Sequence, residues 1–257
     1  MHRTTLRRIP GSDIIGWLSP VGTTLRLIGS MLNVRSFQSL ALQDLRPHCL
    51  WMGLQSFHFV SLSAAVVSIC LTIQCVVELQ KFQAQDLSGA VISIGLLREI
   101  GPLTISMAWC AMVAARVSED AKRYYPQYQS DGAFASGFVL PRYVAAIAMS
   151  IPLAAYGLLF GFLTGALFAP LIGVTSTADF LDSAREAIKD KDLVVYFLKL
   201  GFVNPSVGIF AGCVAGMRAK DPSQPIAADA VSATFLTCFA LNLAVTSAAY
   251  LTGEPTL

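Results

Sequence analysis

The sequence is poor in charge. Only 13% of its 257 residues are charged, whereas 54% are hydrophobic. A soluble domain carries about 25% charged residues, so this chain has too few to keep a domain of its length in solution. Its formal net charge of +2 also provides no basic surface of the kind that binds nucleic acid. The composition predicts an integral membrane protein with a single domain and no nucleic-acid partner.

Motifs of catalysis and metal binding are absent from the sequence. Its three histidines lie apart from cysteines and carboxylates, and no pair of its six cysteines has CxxC spacing. We expect the cysteines to be small buried hydrophobic residues rather than disulfides or metal ligands. No GxxxxGK(S/T) phosphate loop, HExxH or GxSxG motif occurs. The chain is therefore expected not to be an enzyme and to hold no cofactor or metal.

Five apolar runs are long enough to cross a bilayer, which takes about 20 residues of α-helix. Four of them hold no charge or one, and the second holds the pair Arg98 and Glu99 near its middle. The predicted spans are 57–77, 87–115, 143–170, 193–217 and 230–252. We predict an all-α fold of about five transmembrane helices within one domain, residues 1–257.

The basic residues in the flanks predict the orientation. With the N-terminus inside, the inner segments hold twelve lysine and arginine residues and the outer segments hold four. Cytoplasmic loops carry the excess of these residues. The pattern predicts a cytoplasmic N-terminus and an external C-terminus.

A segment of different character precedes the first span. Ser19-Pro20 resembles a helix start with proline at the first helical position. The apolar residues that follow recur on one stripe: Val21, Leu25, Ile28 and Leu32. This periodicity predicts an N-terminal amphipathic helix that lies in the cytoplasmic interface. The alternative is a soluble amphipathic helix packed on a partner.

Arg98 and Glu99 are the most informative residues of the spans. A charge at mid-membrane costs a few kcal/mol, about 3 on the mildest scale, and therefore needs a partner or an aqueous cavity. Neighbouring residues of a helix point about 100° apart, so we expect each charge to reach another helix or subunit. Pro102 frees the carbonyl of Arg98 and favours a kink. The pair is interpreted as part of a polar path or gate; the alternative is an interhelical salt bridge that only fixes packing.

Two glycine stripes are assigned to helix packing. Spacing by four places each set on one helix face, where two backbones can approach closely. The stripes are Gly157, Gly161 and Gly165 in the third span and Gly208, Gly212 and Gly216 in the fourth.

The fourth span and the segment before it hold further polar residues. Lys199 lies near the outer end of this span, where its side chain is expected to reach the membrane surface. Asn204-Pro205 is expected to kink the helix. Segment 176–192 holds eight charged residues and is predicted to form a short polar helix on the outer face, its charges serving solvation.

One motif points to a family. The run Leu96 to Leu103, LLREIGPL, resembles the L-x-R-E-(L/I)-G-P signature of the MlaE/YrbE permease family, the membrane subunits of ABC-type lipid transporters associated with MCE proteins. Further segments resemble the family in the same order: 80–89, 139–143, 192–199 and 216–220. The similarity extends over roughly residues 14–252.

The resemblance implies partners and a lipid path. It implies a homodimer or heterodimer of such subunits, cytoplasmic ABC ATPase subunits and an MCE-domain protein on the outer face. Lipid enters a cavity between the two permease subunits. Arg98 and Glu99 match the motif positions near that cavity, and with Pro102 they are the candidate lipid-path residues.

One segment departs from the family pattern. After the second span, family members usually carry E-(L/I)-G-x-M-x-x-x-E-(Q/E)-(I/L)-x-A where the ATPase docks. Here the sequence reads SEDAKRYYP and the loop is shorter. Pro126 also interrupts a long docking helix. Either the chain couples to an ATPase through Glu119, Asp120, Arg123 and Tyr124, or it is the degenerate member of a heterodimer.

Three functions are compatible with these features. The first is the membrane subunit of a lipid transporter that links the bacterial inner membrane to a periplasmic MCE protein, a plastid envelope membrane being the less favoured location. The second is a non-transporting scaffold of an MCE complex. The third, an ion-coupled carrier, normally shows more ionisable groups in the membrane and an internal repeat. Neither the lipid nor the direction of transport follows from the sequence.

Overall fold

The computed structural model describes residues 12–32, 42–173, 176–219 and 225–251, in which the backbone is almost entirely helical and forms no strand. The all-α fold is confirmed. The helices are α1 (Ser12–Met31), α2 (Leu42–Met52), α3 (Phe57–Gln80), α4 (Ser88–Arg98), α5 (Met107–Tyr124), α6 (Asp131–Phe134), α7 (Leu140–Phe168), α8 (Thr177–Ala187), α9 (Asp190–Leu198), α10 (Asn204–Met217) and α11 (Ala227–Leu251). Residues outside the described ranges include Arg3, Arg7, Arg8, Arg35, Lys220 and Thr252, on which parts of the predicted topology depend.

Several helical stretches are long and apolar enough to cross a membrane. Four of them are Gln43–Gln80, Asp131–Ile172, Asp190–Met217 and Ala227–Leu251. A fifth stretch, residues 85–127, meets the same test only as two helices bent by 40° at a short break. The described part of the chain is therefore that of a multi-pass membrane protein with four to five spans.

The break lies in the second predicted span, which is two helices rather than one. α4 ends at Arg98, and a π-helical turn, Pro102–Ser106, precedes α5. Proline has no N–H, so it cannot donate to the carbonyl of Arg98 as the helix requires. A Cβ at Gly101 would also clash with the carbonyl of Leu96. These two residues account for the break, and the kink predicted at Pro102 is confirmed.

Two further π-helical turns interrupt the long helices. They are Ala135–Val139, between α6 and α7, and Lys199–Val203, between α9 and α10. Asn204-Pro205 begins α10 directly after the second of these turns. The sequence predicts a kink at Asn204-Pro205. The structure has a π-helical turn on the N-terminal side of this pair, and such turns are frequent at functional sites.

The helices pack around a core formed largely by α3, α5, α7 and α10. α3 lies along α7, while α5 lies along both α10 and α11. The buried side chains between them include Trp109, Phe138 and Ile209. α5 is therefore the central helix, and its N-terminal end lies at the break.

Both glycine stripes lie at helix contacts. On α10, a Cβ at Gly212 would lie 2.7 Å from the carbonyl oxygen of Ala114 in α5, and Gly208 and Gly216 also approach α5. On α7 the fit is looser, because the nearest atom to a Cβ at Gly161 is 3.8 Å away. The contact of α5 with α10 therefore depends on the missing side chains. In the contact of α3 with α7 the closest approach is at Gly165, where a Cβ would lie 2.9 Å from Ser68 Oγ.

α1 differs from its predicted start. The helix already includes Ser12 and holds Pro20 in its interior, so the start predicted at Ser19-Pro20 is wrong. An interior proline removes one backbone hydrogen bond, and the helix continues through it. Hydroxyl groups one turn later bond to the local carbonyls, as Thr24 does to Pro20 O at 3.0 Å.

The apolar stripe of α1 does not face the chain's own core. Leu27 and Met31 are the residues of α1 that are buried in the core. Of the predicted stripe, Val21, Leu25 and Leu32 are exposed, whereas Ile28 is partly buried against the core. α1 is therefore apolar on two faces, of which only one is used for packing within the described chain.

The charged segment before the fourth span forms α8. The Ser176 hydroxyl caps this helix by accepting from the N–H of Asp179 at 3.1 Å, and Phe180 and Ala184 are buried. The prediction of a short helix is confirmed. Asp192, however, is only 1% exposed, so its assignment to solvation is wrong. Its carboxylate pairs with a residue of the break.

Candidate functional site

The break after α4 leaves the backbone carbonyl of Arg98 without a helical donor. Lys199, the first residue of the π-helical turn after α9, donates from Nζ to this oxygen at 2.5 Å. The same ammonium lies 3.3 Å from Glu99 Oε1 and donates to the hydroxyl of Thr246 in α11. Lys199 therefore connects the break, the end of α9 and α11.

Lys199 does not reach the membrane surface. Its side chain is 0% exposed, so the sequence prediction for this residue is wrong. An ammonium group has three protons to donate, and a carbonyl, a carboxylate and a hydroxyl accept them here. These acceptors offset the loss of hydration that otherwise keeps a lysine at the surface.

Arg98 is held by a second residue of α9. Its Nε donates to Asp192 Oδ1 at 2.9 Å, and the hydroxyl of Tyr250 in α11 donates to the same oxygen. The guanidinium carbon also lies 4.6 Å from the centre of the Tyr250 ring, a cation–π contact. As their 100° separation predicts, Arg98 and Glu99 thus contact different partners on other helices.

Six residues form what we call the charged cluster: Arg98, Glu99, Asp192, Lys199, Thr246 and Tyr250. It contains two ion pairs of opposite polarity, Arg98 with Asp192 and Glu99 with Lys199. Its net charge is zero when all four groups are ionised. In each pair one partner is buried: Asp192 in α9, and Lys199 in the turn that follows it. The other partner, Arg98 or Glu99, is partly exposed.

The partial exposure of two side chains of the charged cluster bears on its role. The side chain of Arg98 is 32% exposed and that of Glu99 is 38% exposed. A buried salt bridge that only fixes packing would enclose both partners. Here a cation and an anion lie side by side on a surface within the spanning helices, so this surface needs water, a polar ligand or another subunit.

An uncharged layer lies beside the charged cluster. Asn204 donates to the hydroxyl of Ser106 and accepts from Asn242 Nδ2 at 2.6 Å. All three side chains are buried, and Asn242 Oδ1 accepts no hydrogen bond from the described residues. We call these residues the asparagine cluster. It ties the π-helical turn after the break to α10 and α11.

The sequence contained a signal for the partners that were missed. Asp192 and Lys199 are seven residues apart, about two helical turns, so they lie on one face of the helix. Asp192 is opposite in charge to Arg98, and Lys199 is opposite in charge to Glu99. Thr246 and Tyr250 are likewise four apart, on one face of α11. No sequence pattern, however, indicates which helices are neighbours.

The predicted ATPase-coupling residues lie at the end of α5. Glu119, Arg123 and Tyr124 are exposed. The carboxylate of Asp120 lies 3.4 Å from Arg142 Nη2, so Asp120 holds α5 against α7 within the chain. α5 ends at Tyr124, and a short turn containing Pro126 follows.

None of the six cysteines belongs to the charged cluster. Among the described residues, no group of three or more His, Cys, Asp or Glu side chains is placed to hold a metal ion. All six cysteines are free, and Cys110, Cys213 and Cys238 are buried. Cys70 is exposed on α3, so the prediction of a buried position is wrong for that residue. An apolar thiol in a spanning helix is accommodated by lipid as well as by protein.

Comparison with known proteins identifies a related family. A family model described as Permease MlaE matches residues 46–120 and 135–249, well over half of the chain. The two matched regions exclude 121–134, the end of α5 and the turn after it. This gap coincides with the segment in which the sequence departs from the family motif.

Curated relatives are similar over most of their length. A protein of Rickettsia conorii described as "Probable ABC transporter permease protein" is 21% identical over 222 residues, which are 81% of this chain and 83% of the relative. Proteins with the same description are 22% identical over 223 residues in Rickettsia prowazekii and 21% identical over 226 residues in Rickettsia bellii. For these two the matched part is 81% and 83% of this chain, and 83% and 84% of the relatives.

Proposed function

Because the chain belongs to the Permease MlaE family, we propose that it is the membrane permease subunit of an ABC-type lipid transporter. In this proposal it passes lipid between the bacterial inner membrane and a periplasmic MCE protein. The printed descriptions of the Rickettsia relatives as ABC transporter permeases support the permease role. ATP is hydrolysed by a separate cytoplasmic subunit.

The observation that carries the lipid-path proposal is the partly open charged cluster. Arg98 and Glu99 present a cation and an anion about one third exposed within the spanning helices. Exposure of such charges to hydrocarbon is costly. A cavity between two copies of the subunit, which holds water and lipid head groups, satisfies them. The path therefore passes Arg98, Glu99 and Pro102, with Asp192 and Lys199 positioning the two charges.

The break gives this path a mechanical role. Pro102 and the asparagine cluster connect the open charges to α5, whose other end carries the exposed Glu119, Arg123 and Tyr124. We propose that an ATPase subunit contacts this end on the cytoplasmic side, with the N-terminus also inside. ATP binding then moves the two permease subunits as rigid bodies, and the cavity opens or closes.

A second function is favoured by one specific observation. The family match excludes 121–134, and the helix that precedes this segment is cut short near Pro126. A subunit with an altered docking segment suits a scaffold role, in which it completes a heterodimer around an MCE protein without binding an ATPase itself.

Co-purification followed by a transfer assay separates the two functions. For the transporter we expect a stoichiometric ATPase subunit and an MCE protein in the purified complex, and ATP-dependent transfer of labelled lipid from proteoliposomes. An MCE protein without an ATPase, and no transfer, would establish the scaffold instead. Purification with neither partner contradicts both.

A further inference from the structure

A groove lies between α1, α10 and α11 in the described part of the chain, separate from the charged cluster. Its volume is about 890 Å³, within the range of roughly 300–1,000 Å³ that is usual for ligand sites. The exposed apolar stripe of α1 forms one wall through Val21, Leu25, Ile28 and Leu32. This wall is formed mainly by the face of α1 that does not pack in the core. We call this cleft the lateral groove.

The opposite wall is a stripe of α11. Ala233, Thr237, Leu241 and Val245 follow one another at a spacing of four and all line the groove, as does Asp229 at one end. From Asp229 to Val245 the helix rises roughly 24 Å. One leaflet of a bilayer with its head groups is about 20–22 Å thick. The lateral groove therefore has the length of a single phospholipid standing in one leaflet.

The two ends of the lateral groove differ in charge. One end carries Arg218 and Asp229, both exposed and without an ion pair among the described residues. A zwitterionic phospholipid head group carries one phosphate and one ammonium. A guanidinium binds phosphate, and a carboxylate binds an ammonium, through charge-assisted hydrogen bonds. This end is thus complementary to a head group that bears both charges.

The other end of the lateral groove lies towards the π-helical turn that begins at Lys199. It is lined by Phe202, in the π-helical turn that begins at Lys199, and by Val245, which directly precedes Thr246. The walls between the two ends are largely apolar. The groove therefore runs from a charged mouth, along an acyl-chain-compatible wall, in the direction of the candidate lipid path, although no residue of that path lines it.

We propose that the lateral groove binds one glycerophospholipid with a zwitterionic, amine-bearing head group and loads it from the cytoplasmic leaflet towards the charged cluster. Arg218 holds the phosphate and Asp229 the ammonium, while the acyl chains lie along α1 and α11. This inference rests on the proposed function for its direction, since the mouth lies at the end of α10 that is cytoplasmic in the proposed orientation.

The dimensions favour a lipid over a helix of a second copy. A helix about 10 Å wide and about 24 Å long occupies roughly 1,900 Å³, whereas the lateral groove has about 890 Å³. Two acyl chains are thinner and flexible enough to follow a curved wall. The charge pair at the mouth also has no counterpart in an apolar helix face.

The binding test uses the full chain in nanodiscs made of equal amounts of phosphatidylethanolamine and phosphatidylglycerol. Lipids that remain bound after mild detergent extraction are counted by native mass spectrometry. Thr237→Trp fills the groove and is expected to lower the retained phosphatidylethanolamine about tenfold. Leu236→Trp, at the adjacent position of α11 that does not line the groove, is the matched control and should retain it. Equal retention by both variants overturns the proposal, as does conversion of a dimer to a monomer by Thr237→Trp alone.

Two variants of the mouth test the head-group assignment. Arg218→Gln removes the phosphate contact and should lower retention of both lipids about tenfold, the size expected for a lost charge-assisted hydrogen bond. Asp229→Asn should abolish the preference for phosphatidylethanolamine over phosphatidylglycerol. A wild-type chain without that preference contradicts the assignment.

ATP-driven transfer is measured separately so that the two proposals fail differently. If the wild-type chain binds lipid in the groove but transfers none with its ATPase, the proposed function fails and the site stands. If Thr237→Trp loses the bound lipid and still transfers at the wild-type rate, the groove is not the loading route and this inference fails alone.

Discussion

At the scale of single residues, each partly exposed charge at the break is paired with a buried charge of opposite sign. Asp192 is 1% exposed and Lys199 is 0% exposed, and each contacts one of the two charges at the break. A buried pair contributes little net stability, but removal of one partner leaves the other charge uncompensated. The cluster is therefore sensitive to single substitutions and tolerant of paired ones.

Substitution of the buried lysine tests this pairing. Lys199→Met removes the cation that pairs with Glu99 and the donor to the freed carbonyl of Arg98, so we expect a loss of about 3–5 kcal/mol in the free energy of unfolding. Unfolding is followed by tryptophan fluorescence in mixed micelles. The double variant Lys199→Met with Glu99→Gln should recover part of the loss.

The control for this prediction is Lys81→Met. Lys81 forms a pair with Glu78 on the surface, 2.7 Å apart, and exposed pairs contribute at most about 1 kcal/mol. Equal destabilisation by Lys199→Met and Lys81→Met would show that Lys199 is not a buried partner of the break.

The asparagine cluster is expected to couple α10 to α11. Asn204→Ala and Asn242→Ala each break the contact of 2.6 Å between the two amides. In a double-mutant cycle we expect a coupling energy of about 0.6–1.7 kcal/mol, as for hydrogen bonds between membrane helices. Additive effects, measured as free energies of unfolding in the same micelles, would mean that the amides act independently.

At the scale of helices, composition predicted more than local patterns did. Apolar runs of sufficient length predicted an all-α membrane fold, because hydrocarbon requires backbone hydrogen bonds to be satisfied within each helix. Pro102 predicted the kink, since the missing N–H is a local property. The burial of Asp192 and Lys199 was missed, because it depends on which helices are neighbours. The start of α1 was missed because an interior proline resembles a first-turn proline in sequence.

The contact of α5 with α10 is predicted to tolerate little added volume. A Cβ at Gly212 would lie 2.7 Å from the carbonyl oxygen of Ala114, a backbone atom that cannot move alone. Gly212→Ala should therefore lower the unfolding midpoint and the yield of folded protein in membranes. Gly161→Ala is the matched control, because its nearest neighbour would be 3.8 Å away. Similar losses of midpoint and yield in both variants would contradict the inference that the surroundings of Gly212 are closer than those of Gly161.

At the scale of the whole molecule, the proposed orientation places the turn after α3 outside and the end of α5 inside. We expect Lys81→Cys to react with a membrane-impermeant maleimide added to intact spheroplasts, and Arg123→Cys to react only after lysis. The unsubstituted chain controls for its own cysteines. The reverse pattern of labelling would invert the predicted topology and move the proposed ATPase contact to the wrong side.

The partial exposure of the charged cluster bears on its function in the whole molecule. A cluster that only fixes packing needs no opening, whereas Arg98 and Glu99 are about one third exposed. The described chain by itself therefore does not enclose these two charges. The proposed lipid path therefore predicts a second subunit that faces these two charges, with a cavity between the two subunits through which lipid head groups pass.

The most direct test is ATP-driven transfer of labelled phospholipid by the complete complex carrying Glu99→Ala. Glu78→Ala, which removes an exposed carboxylate of α3 paired only with Lys81, serves as the control. Glu99→Ala also destabilises the chain, so only the fully assembled complex is assayed; we predict that it transfers lipid at the background rate, while Glu78→Ala transfers at the wild-type rate. Wild-type transfer by a fully assembled Glu99→Ala complex would reduce the charged cluster to a packing feature and contradict the proposed lipid path.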